Sequence, residues 1–362
     1  MKFTIKTVKL QEMVSRAVKG AGNNKLIPLT SLMAIELKNG KLTLITTNAS
    51  DYLYIMQDKI EGEDFYVTIQ VETFSKLISR LTCENVTLEL TSSGLTVSGN
   101  GKYTIEVPMD EEGEIIKYPD PVAGIKLKAQ DEISFADIQS ILNTVKPSLA
   151  TTMEIPCYTG YYMADKVVAT DTYKICRLSS KMFNTPALIS PEMMNLLSVM
   201  TAEKISVMRK NDIFIFFTPD CIIQGPVLEG IDEYAIDAIS GLLDSEFTSM
   251  CKVSKQALLQ TLDRLILFVN KYDNDTINLT FTNEGLQISS KAASGVEIIK
   301  YTESKDFQDF TCMINIEMFT SQIKAQGGDI VEIYYGQDTA IKMVDGSVTQ
   351  IISLLDDNVS EE

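Results

Sequence analysis

The chain has 362 residues, more than one hydrophobic core usually supports, so two or three domains are expected. Its hydrophobic fraction of 45% excludes bulk disorder, and no apolar run reaches the ~20 residues of a membrane-spanning helix. With 49 acidic residues against 32 basic ones and no histidine, the net charge is −17. That excludes a uniformly basic surface, Ser-His-Asp and Cys-His catalysis, and every His-containing zinc site.

The first residues, Met1-Lys-Phe-Thr-Ile-Lys6, alternate like a strand. They carry neither the apolar core nor the cleavage site of a signal peptide, so a cytoplasmic location is expected. Leu10, Met13, Val14, Ala17 and Val18 then make one helical stripe. Leu32–Leu37 and Leu42–Thr46 alternate on either side of Asn39-Gly40, which predicts a hairpin. Val71, Phe74, Leu77, Ile78 and Leu81 have a helical period and precede an alternating strand, Val86–Leu90. The same order returns twice. Phe135, Ile138, Ile141, Leu142 and Val145 follow Ser134, and a proline-opened helix from Pro191 precedes Ile205–Met208. Leu258, Leu259, Leu262, Leu265, Ile266 and Val269 follow Ser254, and a helix from Ile316 precedes Ile330–Tyr334. Ser134 and Ser254 are expected helix N-caps.

The second helices start near 71, 191 and 316, about 120 and 125 residues apart, a spacing that implies tandem units. The expected domains are 1–122, ending in Tyr118-Pro-Asp-Pro-Val122, then 123–247 and 248–362. Each reads as an α+β unit of two helices packed on antiparallel sheets.

The six cysteines, Cys83, Cys157, Cys176, Cys221, Cys251 and Cys312, form no Cys-x-x-Cys motif and read as buried thiols. There is no Walker-type loop, and Gly20-Ala-Gly22 lacks the context of a dinucleotide fingerprint. Asp273-Asn-Asp275 is similar to a calcium loop, but Asn278 stands where its glycine is required. Asp51, Asp110, Glu111, Glu112, Asp120 and Asp171 could hold magnesium on composition alone, but share no fixed spacing. Neither a metal, a cofactor nor a catalytic residue is therefore expected.

Several stretches resemble the bacterial sliding clamp, the β subunit of the replicative DNA polymerase. They are Met1-Lys-Phe-Thr-Ile5, Ile27-Pro-Leu29 with Leu42-Thr-Leu-Ile-Thr-Thr-Asn48, and above all Val168-Ala-Thr-Asp-Thr-Tyr-Lys-Ile175. The last is similar to the clamp's Ala-Thr-Asp-Gly-His-Arg-Leu, with Thr172-Tyr173-Lys174 in place of Gly-His-Arg. Leu228-Glu-Gly230 resembles Val-Asp-Gly without the proline that follows it, and Ser353-Leu-Leu-Asp-Asp357 replaces Met-Pro-Met-Arg-Leu. The resemblance covers the whole chain and marks a divergent member.

The resemblance implies three clamp domains per chain, joined head to tail in a homodimeric ring around duplex DNA. The implied function is that of a replication processivity factor, non-enzymatic, which tethers the polymerase and the clamp loader through short linear peptides. The implied DNA-facing bases are Lys9, Arg16, Lys19, Lys25, Lys76 and Arg80 in the first domain, with Lys146, Lys204, Lys255, Arg264 and Lys324 as counterparts. The implied peptide groove carries Thr170, Ile175, Ile236, Ile351, Ser353 and Leu355, with the acidic tail Asp356, Asp357, Glu361 and Glu362 beside it. At the implied dimer interface, strand Lys102–Val107 meets Val296–Tyr301, with Lys102 beside Glu297 and with Ile78, Leu81, Leu267 and Phe268 packed nearby. Two rival readings stay open: a clamp-fold scaffold that does not encircle DNA, and a magnesium-dependent nuclease.

Overall fold

The computed structural model describes residues 1–291 and 294–355, and within them one sequence of elements occurs three times. The first repeat runs β1 (Lys2–Lys6), α1 (Thr7–Ala17), β2 (Leu32–Lys38), β3 (Lys41–Thr47), β4 (Tyr52–Gln57), β5 (Phe65–Gln70), α2 (Val71–Ile78), β6 (Asn85–Thr91), β7 (Gly94–Ser98) and β8 (Lys102–Ile105). The second runs β9 (Asp131–Ser134), α3 (Phe135–Ser140), β10 (Tyr161–Met163), β11 (Val167–Thr170), β12 (Lys174–Leu178), β13 (Ala187–Ile189), α4 (Pro191–Leu197), β14 (Lys204–Lys210), β15 (Ile213–Thr218) and β16 (Cys221–Pro226). An extra helix, α5 (Ile236–Leu243), follows it. The third runs β17 (Ser249–Ser254), α6 (Lys255–Leu265), β18 (Thr276–Thr282), β19 (Gly285–Ser290), β20 (Val296–Ile299), the added short strand β21 (Glu303–Lys305), β22 (Phe310–Asn315), α7 (Ile316–Ala325), β23 (Ile330–Tyr335), β24 (Ala340–Asp345) and β25 (Val348–Ser353).

Local chemistry accounts for these elements. Asn39 and Gly40 both have positive φ, the geometry that lets a two-residue turn join twisted strands. Ser134 and Ser254 cap their helices, their hydroxyls accepting from the Asp137 and Ala257 amides, and Asn315 caps α7 the same way. In α1 the stripe Leu10, Met13, Val14 and Ala17 is buried, each large side chain stabilising the fold by about 1.5–3 kcal/mol. The second-repeat stripe is less regular: α3 stops at Ser140 and Ile141–Val145 continues as a wider π-turn. There Thr144 donates its hydroxyl to the Ser140 carbonyl, which competes with ordinary helical bonding.

Each repeat builds two four-stranded antiparallel arrays in the same strand order. The orders are β1-β6-β7-β8 and β5-β2-β3-β4, then β9-β14-β15-β16 and β13-β10-β11-β12, then β17-β23-β24-β25 and β22-β18-β19-β20. The arrays join across repeats. β4 pairs with β16 in an eight-stranded sheet, and β12 pairs with β25 in a nine-stranded sheet. The chain thereby forms two compact units, residues 1–138 with 192–227, and residues 139–191 with 228–362. In the second unit the core is closed by Phe281 stacked on Tyr335 at 3.8 Å, among Leu258, Leu262, Phe319 and Ile333. β8 and β20 each end a sheet, paired with β7 and β19 on one side and with no strand on the other among the described residues.

Candidate functional site

The groove residues are assembled by the β12·β25 junction. Thr170 on β11 faces Ile175 on β12, and Ile175 faces Ile351 on β25, so three residues far apart in sequence share one rung. All three are buried. Ile175 and Ile351 belong to one apolar cluster with Tyr158, Tyr162, Val168 and Leu188, and Ile236 packs against its margin. Tyr234 anchors the cluster, edge-on to Tyr158 at 5.0 Å, its hydroxyl donating to the Val168 carbonyl. Tyr158, Tyr162, Tyr234 and Ala340 were not read from the sequence. The one signal was the aromatic run in β10, which reads equally as ordinary core.

At the rim, the turn after Thr170 is tightly bonded. The Thr170 hydroxyl accepts from the Thr172 amide, and the Asp171 carboxylate accepts from the Tyr173 and Lys174 amides and from the Lys174 ammonium. Thr172 has φ +78, a strained conformation for a β-branched residue and the place where the resembling clamp motif carries glycine. Tyr173 is exposed, and its carbonyl accepts from the Ser353 amide, which ties the turn to β25. The first repeat holds the same turn at Thr47–Asp51: the Thr47 hydroxyl accepts from Ala49 and the Asn48 side chain accepts from Ser50 and Asp51. Ala49 also has positive φ.

Ile236 lies at the start of α5; short and carrying Gly241, that helix has weak helix signals in sequence. One groove expectation needs correction. Leu355 leaves the cluster, because its amide donates to the Met313 carbonyl and its side chain lines a separate hollow with Asn278, Phe310 and Asp338. The tail residues Asp356, Asp357, Glu361 and Glu362 lie outside the described residues.

The implied DNA-facing bases divide into two groups. Lys19, Lys25, Arg80 and Lys324 are exposed with no acidic partner among the described residues, and Lys146 is exposed in the turn after the π-segment. The others are engaged. Lys9 pairs with Glu12 and Lys76 with Glu72 along their own helices, weak exposed pairs. Lys204 starts β14 rather than a helix and pairs with Glu132. Lys255 donates to the Gln326 carbonyl. Arg264 makes a forked pair with Glu297, at 2.7 and 2.6 Å.

Arg16 is the clearest correction. It is nearly buried, its Nε donating to the Val199 carbonyl at 3.0 Å and its Nη1 to Asp220 at 2.6 Å, so it clamps first- and second-repeat segments rather than facing a ligand. Burial alone would raise the Asp220 carboxyl, but hydrogen bonds from Arg16 and Thr218, with the Arg16 charge, hold it below the usual range.

At the expected interface, Ile78 and Leu81 are buried in their own repeat, their carbonyls capped by the Gln11 amide. They are therefore core residues. Leu267, Phe268, Val296 and Ile298 are exposed beside edge strand β20, and Tyr103 and Lys102 are exposed on β8. Burial pushes the Cys176, Cys221, Cys251 and Cys312 thiols up to about 12, leaving them unreactive. Among the described residues no group of three His, Cys, Asp or Glu side chains is placed to hold a metal ion, and no helix is long and apolar enough to cross a membrane.

A thrice-repeated βα unit with sheets shared across repeats, and a buried rung at one shared junction, is the architecture of a sliding clamp. The comparisons agree. The chain is similar to the DNA polymerase β subunit of Streptococcus pyogenes, at 17% identity and a TM-score of 0.86, over 98% of this chain and 100% of that one. It is also similar to the polymerase sliding clamp of Bacillus subtilis (16%, 0.84, 98% and 99%) and to the DNA polymerase III subunit beta of Borrelia burgdorferi, described in complex with a natural product (18%, 0.85, 99% and 100%). In sequence, residues 1–118 match the family described as DNA polymerase III beta subunit, N-terminal domain. No curated protein matches the chain. Residues 1–118 match the N-terminal domain of the DNA polymerase III beta subunit, and the whole chain shares the fold of the solved bacterial sliding clamps.

Proposed function

We propose that two copies of this chain close into a head-to-tail ring around duplex DNA, as a non-enzymatic processivity factor of the cytoplasm. The ring tethers a replicative polymerase and a clamp loader through short peptides bound at the β12·β25 junction. The observation that carries this reading is that the sheet junction occurs twice within the chain and is left open a third time. Tyr54 of β4 faces Ile222 of β16, and Arg177 of β12 faces Thr349 of β25. Val296 holds the same place in β20, and Lys102 the same place in β8, counted from their hairpin partners Ser289 and Ser98. A third junction of that register sets Lys102 of one copy opposite Val296 of the next and covers the exposed apolar residues beside β20. Two equal contacts close a two-chain ring and pair the free sides of β8 and β20. This register moves the expected Lys102–Glu297 contact by one residue, and Glu297 is already held by Arg264.

Within such a ring, Lys19, Lys25, Arg80 and Lys324 supply phosphate contacts without reading bases. The ion pairs at Arg16, Lys76, Lys204 and Arg264 favour a second reading, a scaffold of the same fold that does not hold DNA. Light scattering and DNA retention separate them. The wild type is expected at twice the chain mass, and Leu267→Asp with Val296→Asp at the mass of one chain. Once loaded, the wild type stays on closed circular DNA at salt that strips it from linear DNA. Equal salt lability on circle and linear DNA rules out encirclement.

A further inference from the structure

Unit 1 carries an open hollow of about 530 Å³ on the outer face of the β2-β3-β4-β16 strands. Its floor is Ile45, Tyr54, Met56 and Ile222, and Val122 stands at the side. In unit 2 the same face of the repeat is occupied. Val168, Arg177 and Thr349 lie side by side on β11, β12 and β25, as Ile45, Tyr54 and Ile222 do on β3, β4 and β16. There α5 lies over the strands. Its Ile239 and Leu243 are buried in the apolar cluster, its Ser240 hydroxyl accepts from Lys166, and Asp244 at its end pairs with Arg177 at 2.7 Å. Lys166 and Arg177 hold the places of Thr43 and Tyr54, both of which line the hollow. The segment that follows β8 has no such helix: Pro119 and Pro121 exclude one, and to the hollow it supplies Asp120 and Val122. Tyr118 fills the neighbouring rung, its hydroxyl donating to the Leu29 and Leu32 carbonyls, and leaves the hollow itself open.

We propose that this hollow is a second docking site, distinct from the β12·β25 groove, which takes a short amphipathic helix of a partner protein. The helix presents apolar residues at the spacing of Ile236, Ile239 and Leu243, as α5 does to the equivalent face. Charge sets its orientation. Lys38 and Lys41 face one another across the β2–β3 hairpin at one end of the hollow, exposed and without an ion-pair partner among the described residues. Two like charges in register repel, and a carboxylate between them relieves this. Glu36 and Asp58 flank the hollow without bridging either lysine, and Asp120 at the far end accepts the Tyr54 hydroxyl. The docked helix therefore carries an acidic residue toward Lys38 and Lys41.

The probe is a fluorescein-labelled peptide copying residues 233–247 with Gly241→Ala, which keeps the three apolar residues and carries Asp244 and Glu246 in its last four positions. It is titrated by anisotropy against the full chain, with a saturating Gln-Leu-x-Leu-Phe-type peptide present to occupy the groove. Saturable binding on the order of 100 μM is expected. It should weaken about tenfold in Ile222→Glu, and comparably in Lys38→Glu with Lys41→Glu, whose exposed side chains place no burden on folding. No saturation below about 1 mM, or equal binding by the wild type and both variants, overturns the proposal. Helix binding that persists where the linear peptide fails to bind leaves the hollow standing and counts against the groove alone.

Discussion

The two internal sheet junctions share one backbone register and are cemented by opposite chemistry. At β4·β16 the inward rung is apolar, Leu53 facing Ile223, and charge holds the margin through Arg16, Asp220 and the Val199 carbonyl. At β12·β25 the same rung is Cys176 facing Gln350, and buried amides hold it. The Gln350 amide donates to the Gln322 carbonyl, Gln326 donates to Gln350, and Ser148 donates to Gln322. A sheet can therefore be continued across repeats by main-chain pairing alone, while side chains decide how each joint responds to mutation and pH. The proposed groove lies at the amide joint, where the outward rung is Thr170, Ile175 and Ile351. At the charged joint the equivalent outward rung is Thr47, Tyr52 and Gln224.

Breaking the charged joint should have the largest effect. Arg16→Glu sets a new carboxylate against Asp220 and Glu12 and leaves the Val199 carbonyl without its donor. A loss of about 2–3 kcal/mol is expected, below the ~3–5 kcal/mol of a fully buried pair because Asp220 is partly solvated. Urea denaturation should register it in unit 1, while the Gln-Leu-x-Leu-Phe-type peptide still binds unit 2. Because Asp220 is held below the usual carboxylate range, its contribution is present above that range and is lost as pH falls through its lowered value. A wild-type-like midpoint for Arg16→Glu at neutral pH would show that the clamp carries no weight.

The amide joint is tested by giving it the other joint's residue. Gln350→Ile strands the Gln326 amide and the Gln322 carbonyl, at about 1–3 kcal/mol. Adding Gln322→Leu, the residue that Leu197 supplies at the equivalent place in α4, should recover part of the loss by removing a polar side chain whose Nε2 has no partner. Non-additivity in a double-mutant cycle measures this coupling, and strictly additive losses would refute it.

The smallest expected effect is a gain. Asp51 is buried at the charged joint, against Gly225, where a Cβ would stand 2.0 Å from its Oδ1. Only Oδ2 is bonded, to the Asn48 amide; Oδ1 has no partner among the described residues. Burial raises its pKa, and Glu192 adds to this. A carboxyl raised in the folded state destabilises when ionised, so its cost is relieved as pH falls into the window between its raised value and the usual carboxylate range. Asp51→Asn should stabilise unit 1 by about 1 kcal/mol at neutral pH, with the gain shrinking toward acid. Loss of stability at pH 7 would mean that the charge is used.

Much of the fold was legible because it rests on local periodicity. The stripes at 10–18, 71–81, 135–145, 258–269 and 316–324, the Asn39-Gly40 hairpin and the serine caps need only neighbours in sequence. α5 was not legible: eight residues with Gly241 inside and no capping side chain carry little intrinsic helix signal, and the helix forms because Ile239 and Leu243 have a sheet to cover. Of the groove, Thr170, Ile175 and Ile351 were found through motif resemblance and do share a rung. Leu355 was carried over with them, yet the main chain turns after Ser353 to bond Met313.

The sequence by itself determined the three repeats, their α+β class and the residues of each helical face, because side-chain periodicity is a local property of the chain. Tertiary structure alone decided which bases are free and which polar groups are buried. Arg16 and Lys19 lie three residues apart on one basic helix end, yet one is spent on Asp220 and the other is exposed. The physical reason is that an ion pair or a sheet junction depends on strands more than a hundred residues away, and no window of sequence contains both partners.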